Sequence, residues 1–107
     1  MPLINLEYDD SVVTSEEAHG LSNAIRDIIS SETDIKDVFV YGNTAEIKVQ
    51  VAPIEIFVRM SAKIDQDDPK LMERIKNELQ QWKTKNNFSH AINLTLIPMD
   101  WQIEIGI

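Results

Sequence analysis

The sequence holds 107 residues, with ten basic against eighteen acidic side chains and a formal net charge of −8 at neutral pH. That length fits one domain with a real core and little left for a second, and the acidic balance argues against nucleic-acid phosphates or an anionic membrane surface as partners. There is no cysteine, which excludes disulfides, thiolate nucleophiles and thiolate metal sites; with no signal-peptide pattern and no apolar run near the roughly 20 residues of a membrane span, a cytoplasmic protein is expected.

The first predicted element opens on Pro2. Proline lacks a backbone N–H and suits the first residue of a strand. Residues 2–8 then alternate, with Ile4, Leu6 and Tyr8 on one side and Leu3, Asn5 and Glu7 on the other. If Met1 is removed, as a small second residue permits, the Pro2 nitrogen becomes a free secondary amine at the strand terminus. Thr14 stands three residues before Glu17, the spacing of a capping box. A helix over residues 15–31 follows, burying a stripe of Ala18, Leu21, Ile25, Ile28 and Ile29 and turning Glu16, Asn23, Asp27 and Ser30 outward. Past "SSETD", the stretch "DVFVYGNTAEIKVQV" is β-rich, and Gly42-Asn43 predicts a bulge or a hairpin within it.

The second half repeats this order. "PIEIFVRMSAKI" predicts a strand with Ile54, Ile56, Val58 and Met60 on one face and Glu55, Phe57, Arg59 and Ser61 on the other. In "DQDDP", Asp68 is placed to cap a helix and Pro69 to occupy its first position. That helix, about residues 69–85, shows Met72, Ile75, Leu79 and Trp82 on one face and ends in lysines, which suit the negative pole of the helix dipole. "AINLTLIPMDWQIEIGI" then predicts one strand and a second short one separated near Pro98.

Aligning "PLINL" with "PIEIF" gives an offset of 51 residues and two pseudo-repeats, 1–51 and 52–107, within a single domain 1–107. Each repeat is a β-α-β unit, which favours parallel pairing and a right-handed crossover. The expected fold is α+β: a four-stranded mixed sheet with two helices on one face. Its other face, carrying Glu55, Phe57 and Arg59, invites cover by further copies of the chain, and "QIEIGI" is free to extend a neighbour's sheet edge.

Two folds use this element order, the ferredoxin-like fold and the tautomerase fold. A chain that starts Met-Pro, launches its first strand from that proline and repeats a β-α-β unit after about fifty residues resembles the tautomerase superfamily. That superfamily includes 4-oxalocrotonate tautomerase, 5-carboxymethyl-2-hydroxymuconate isomerase and macrophage migration inhibitory factor. "PIEI" (Pro53 to Ile56) and "LTLIPM" (Leu94 to Met99) resemble strands of a bacterial branch. The resemblance implies a homo-oligomer, specifically a trimer, with an active site near the amino-terminal proline at a subunit boundary. It implies Pro2 as general base for keto–enol isomerisation of a small acidic or aromatic substrate, without cofactor or metal. Arg59 is the first choice to hold the substrate carboxylate, being the arginine on a predicted strand and on the face away from the helices. Lys36 is the second choice, and Tyr41, Ser61, Asn93 and Thr95 are candidates for neutral hydrogen bonds.

Each signal has a plainer explanation. Met-Pro alone marks only a strand boundary, and Pro53 starts a strand with no free amine at all. Arg59 is free to pair with Glu55 or with a carboxylate of a neighbouring subunit, and Lys36, between Asp34 and Asp37, reads more simply as a solvated loop charge. His19 and His90 are too isolated for a metal site, and "DQDD" lacks the spacing and glycine of a calcium loop. Trp82 fits a helix core stripe, and Trp101 a subunit contact. The rival functional reading is a non-catalytic oligomeric or ligand-binding module on the tautomerase-like or ferredoxin-like fold.

Overall fold

Strand β1 (Leu3–Tyr8) begins directly behind Pro2 and ends where Asp9 opens a tight turn, with its carboxylate accepting from both the backbone and the hydroxyl of Ser11. The structure is a computed structural model describing residues 1–107, the side chain of Asp65 excepted. Thr14 caps α1 (Ser15–Thr33) as expected: its hydroxyl accepts from Glu17 N at 3.0 Å, and Glu17 reaches back to the Thr14 N–H at 2.9 Å. Ala18, Leu21, Ile25, Ile28 and Ile29 form its buried stripe, joined by Ala24. The helix runs two residues past the expected Ser31. Asp34 then stops it in the left-handed region at φ 57°, a conformation short polar side chains tolerate.

After β2 (Phe39–Thr44), the chain crosses to β3 (Ile54–Ser61), enters a short helix α2 (Ala62–Asp67), then α3 (Leu71–Lys85), and closes with β4 (Asn93–Met99). The sheet order is β2-β1-β3-β4, with β1/β2 and β3/β4 parallel and β1/β3 antiparallel. In each unit the two parallel strands are direct neighbours. No strand is inserted between them, as the split β-α-β arrangement of the ferredoxin-like fold requires. The core lies between one sheet face and helices α1 and α3: Ile4, Leu6, Ile54, Ile56, Val58 and Met60 are all fully buried and meet the helical stripes. Burying one such side chain contributes about 1.5–3 kcal/mol, so the two central strands anchor the fold.

Several local expectations change. Gly42 and Asn43 neither bulge nor turn: they stay in register, opposite Leu6 and Glu7, and β2 simply ends at Thr44. Residues 45–52 belong to no strand. β3 stops at Ser61, so Ala62–Ile64 are helical. Asp68 does not cap α3 through its side chain. Its carboxylate receives the Arg74 guanidinium, its carbonyl receives Leu71 N at 3.1 Å, and α3 starts two residues beyond Pro69. That shift places Leu71 in the core and turns Met72 outward. Trp82 packs against the core with its ring tilted 49° to that of Phe88, a core residue that lies outside the helical pattern, with ring centroids 5.2 Å apart. Pro98 lies inside β4, opposite Met60, where an edge strand tolerates a missing N–H, and residues 100–107 form no second strand. The buried positions of β1 and β3 are both even-numbered, so Ile4 corresponds to Ile54 and Leu6 to Ile56. An odd offset such as 51 would set Ile4 against Glu55 and invert the faces. No helix is long and apolar enough to cross a membrane.

Candidate functional site

Alternation leaves the other sheet face open, and the strand register reads it row by row. Asn43, Glu7, Glu55 and Asn93 form one row, then Tyr41, Asn5, Phe57 and Thr95, then Phe39, Leu3, Arg59 and Ile97, with Ser61 opposite Met99 at the rim. In the first row each carboxylate takes an amide rather than a cation: Asn43 Nδ2 donates to Glu7 at 3.3 Å and Asn93 Nδ2 to Glu55 at 2.9 Å. Glu55 therefore does not pair with Arg59. Arg59 Nη1 instead donates to Asn5 Oδ1, one row away on β1. Its other guanidinium N–H groups have no partner among the described residues, and a guanidinium carries five donors in a fixed fork.

Pro2 sits at the end of this sheet where Arg59 stands. The backbone places it next to Leu3, whose partners are Phe39 on β2 and Arg59 on β3, and its carbonyl accepts from Phe39 N at 3.3 Å. The Pro2 ring is buried and has the parity of Ile4 and Leu6, so it faces the helices while Arg59 faces the open side. Its nitrogen is a main-chain atom just before the first residue of β1. Lys36 lies at the same end, exposed in the connection into β2, where its carbonyl accepts from Val38 N. Ser61 closes β3 there, and its Oγ accepts from Lys63 N at 3.4 Å. Pro2, Arg59, Lys36 and Ser61 thus share one end of the sheet. Tyr41 is one row further in, 54% exposed and beside Asn5, and Thr95 shares that row. Asn93 is at the far end, four residues from the level of Arg59, roughly 13 Å along a strand, and is engaged by Glu55.

Motif reading passes over Asn5, which holds Arg59, and Lys63, which follows the end of β3. Asn5 was visible only as a polar position on the strand side opposite Ile4. Lys63 lies in what the sequence presents as the tail of β3, and the early turn into α2 sets it just past the end of β3 that carries Arg59. The perturbed carboxylates lie elsewhere. The Ser11 hydroxyl, then Lys48, hold Asp9 down to about 2. Backbone capping at Thr14, with His90 Nε2 2.9 Å away, lowers Glu17. Arg74 lowers Glu32, while burial and the Glu32 carboxylate push Glu78 up.

No family model and no curated protein matches the sequence. Solved structures do. A 5-carboxymethyl-2-hydroxymuconate delta-isomerase superposes with a TM-score of 0.64 at 11% identity, over 99% of this chain and 89% of that one. A protein of unknown function from Vibrio cholerae gives 0.57 at 10% identity, over 92% and 78%. A malonate semialdehyde decarboxylase inhibited by 3-bromopropiolate gives 0.53 at 14% identity, over 100% and 91%. These likenesses establish the fold: the chain has the tautomerase fold, in accord with the resemblance carried by its Met-Pro start and repeated β-α-β units.

Proposed function

We propose that this protein is a tautomerase-type isomerase in which Pro2, freed by removal of Met1, moves a proton on a small 2-keto or unsaturated acid. The observation that carries the reading is the convergence of Pro2, Arg59 and two lysines, Lys36 and Lys63, at one end of the sheet. While Met1 is attached, the Pro2 nitrogen is an amide and no base. Once free, it is a secondary amine that is mostly protonated in neutral water. Burial and adjacent cations both disfavour its ammonium form and leave neutral amine at working pH. The amine takes the proton from the enol oxygen and returns one to the neighbouring carbon, or runs the same transfer in reverse. Arg59, one donor held by Asn5 and the rest unpaired among the described residues, binds the substrate carboxylate and the negative charge that grows on the oxygen.

The tautomerase fold supports the reaction class: two solved relatives of this shape are a muconate isomerase and a semialdehyde decarboxylase. The net charge of −8 favours a substrate with one carboxylate over a dianion. A homo-oligomer, specifically a trimer, belongs to the same reading, because the ring of Pro2 and the guanidinium of Arg59 lie on opposite faces of one sheet. A neighbouring subunit would complete the pocket at the strand end. The test has two parts. Intact mass is expected to show Met1 removed; its retention would end the assignment of Pro2 as base. Ketonisation of phenylenolpyruvate and of 2-hydroxymuconate is then compared for the wild type, Pro2→Ala and Arg59→Ala. Phenylenolpyruvate is expected to be the better substrate, with kcat/KM falling by about 10²-fold or more in Pro2→Ala. Equal rates for wild type and Pro2→Ala would leave the non-catalytic oligomeric module as the reading.

A further inference from the structure

The groove between α3 and β4 is set apart from the Pro2 end of the sheet. Ile92 and Leu94 form one wall, at the opposite end of β4 from Ile97, the residue paired with Arg59. Leu79 and the outward-turned Met72 form the other, and the half-open groove has a volume of about 340 Å³. That size is at the small-molecule end of ligand sites and too small for a docked helix. Lys76 and Lys83 stand on its rim, with Gln80 between them. Seven residues apart on one helix, they fall on the same face, about 10.5 Å apart along the axis.

Two features make this groove more than a gap between side chains. It presents an apolar floor on the helix side of the sheet, where Leu79 is buried and Ile92 and Leu94 are half-covered against the core. Its two lysines make no ion pair among the described residues, in a chain with eight surplus negative charges. The comparable groove between α1 and β2 differs on this point, because its Arg26 is taken by Asp27 at 3.0 Å. Unpaired cations at the edge of an apolar trough select a ligand with an anionic head and an apolar chain. The chain replaces water on Leu79, Ile92 and Leu94, and the head is drawn to an ammonium that makes no ion pair among the described residues.

We propose that the α3/β4 groove binds a linear amphipathic carboxylate, with its chain along Leu79, Ile92 and Leu94 and its head at Lys76 or Lys83. Octanoate in extended form spans the separation of the two lysines and is the probe. Titration of the full-length protein with octanoate is followed by amide NMR, with octanol and acetate as controls. Octanoate is expected to shift the amides of residues 72–83 and 92–94, octanol to bind about ten-fold more weakly, and acetate to leave the groove unchanged. The double variant Lys76→Glu/Lys83→Glu alters positions on the helix surface outside the core, and its fold is checked by circular dichroism. It is expected to weaken octanoate about ten-fold or more while leaving octanol unchanged. Shifts confined to the open sheet face, or equal octanoate affinity in the double variant, would overturn the proposal. So would groove shifts that follow protein concentration without ligand, because they would assign the groove to a second copy of the chain.

Discussion

Arg59 is one residue with two demands on it. Asn5 takes one guanidinium N–H, which costs a donor but fixes the direction of the other four. A flexible cation on a strand face would lose side-chain entropy each time it engaged a carboxylate; one already held loses less. The expected result for Asn5→Ala is therefore a KM several-fold higher, on the order of the 1 kcal/mol of one lost hydrogen bond, with kcat nearly unchanged. Arg59→Ala should raise KM far more and lower kcat as well, because it removes charge stabilisation in the transition state. Steady-state kinetics on phenylenolpyruvate separate the two. If Asn5→Ala lowers kcat at constant KM, Asn5 acts on the reacting atoms and is no mere support for Arg59.

At the scale of the elements, periodicity carried most of the information. Alternation placed both central strands and their buried faces, and the Thr14/Glu17 spacing placed the start of α1. Both signals are local: the side chains concerned lie within one turn or one pleat of each other. What stayed hidden was set by distant partners. Asp68 looks like a helix cap in sequence, yet Arg74, drawn also by Glu32 from the end of α1, takes its carboxylate and moves the start of α3. The Arg59–Asn5 bond, 54 residues apart in sequence, has no local pattern either. The same seam between α1 and α3 makes a pH prediction. Burial, then the neighbouring Glu32 carboxylate, raises the Glu78 pKa, and one Glu78 oxygen is buried without a partner among the described residues. A carboxyl whose folded pKa lies above its unfolded value stabilises the fold when protonated, at low pH, and that contribution is lost as pH rises through the folded pKa. Glu78→Gln removes the charge and keeps the shape. Its melting temperature is expected to exceed that of the wild type at pH 7, with the difference shrinking towards pH 4, as thermal scans across that range will show. A wild type more stable than Glu78→Gln at pH 7 would mean that the Glu78 charge is favourable where it sits.

For the whole molecule, the telling feature is apolar surface arranged in order. Ile47 and Val49 are 83% and 96% exposed, and along residues 46–51 they alternate with Glu46, Lys48 and Gln50. Lys48 is bound to Asp9 at 2.9 Å and to Asp10, which ties this segment to the end of β1. Ile103, Ile105 and Ile107 repeat the pattern beyond β4. Strands β2 and β4 are sheet edges with unpaired backbone groups, and an extended apolar-polar segment is what completes such an edge. A monomer would leave both strips and both edges in water, whereas a closed ring of copies joins them pairwise. Sedimentation is expected to give three times the chain mass of 12.2 kDa. Ile47→Lys and Ile105→Lys, each placing a charge in the joint, should both shift that species to monomer. Lys48→Ala should weaken assembly less, because it loosens the segment without charging it. The fold of each variant is checked by circular dichroism, since neither isoleucine belongs to the core. In the proposed reading a neighbouring subunit completes the Pro2 pocket across this joint, so isomerase activity is expected to fall with the trimer fraction in all three variants. Full activity in a monomeric Ile47→Lys protein would place the whole pocket within one chain and separate assembly from catalysis.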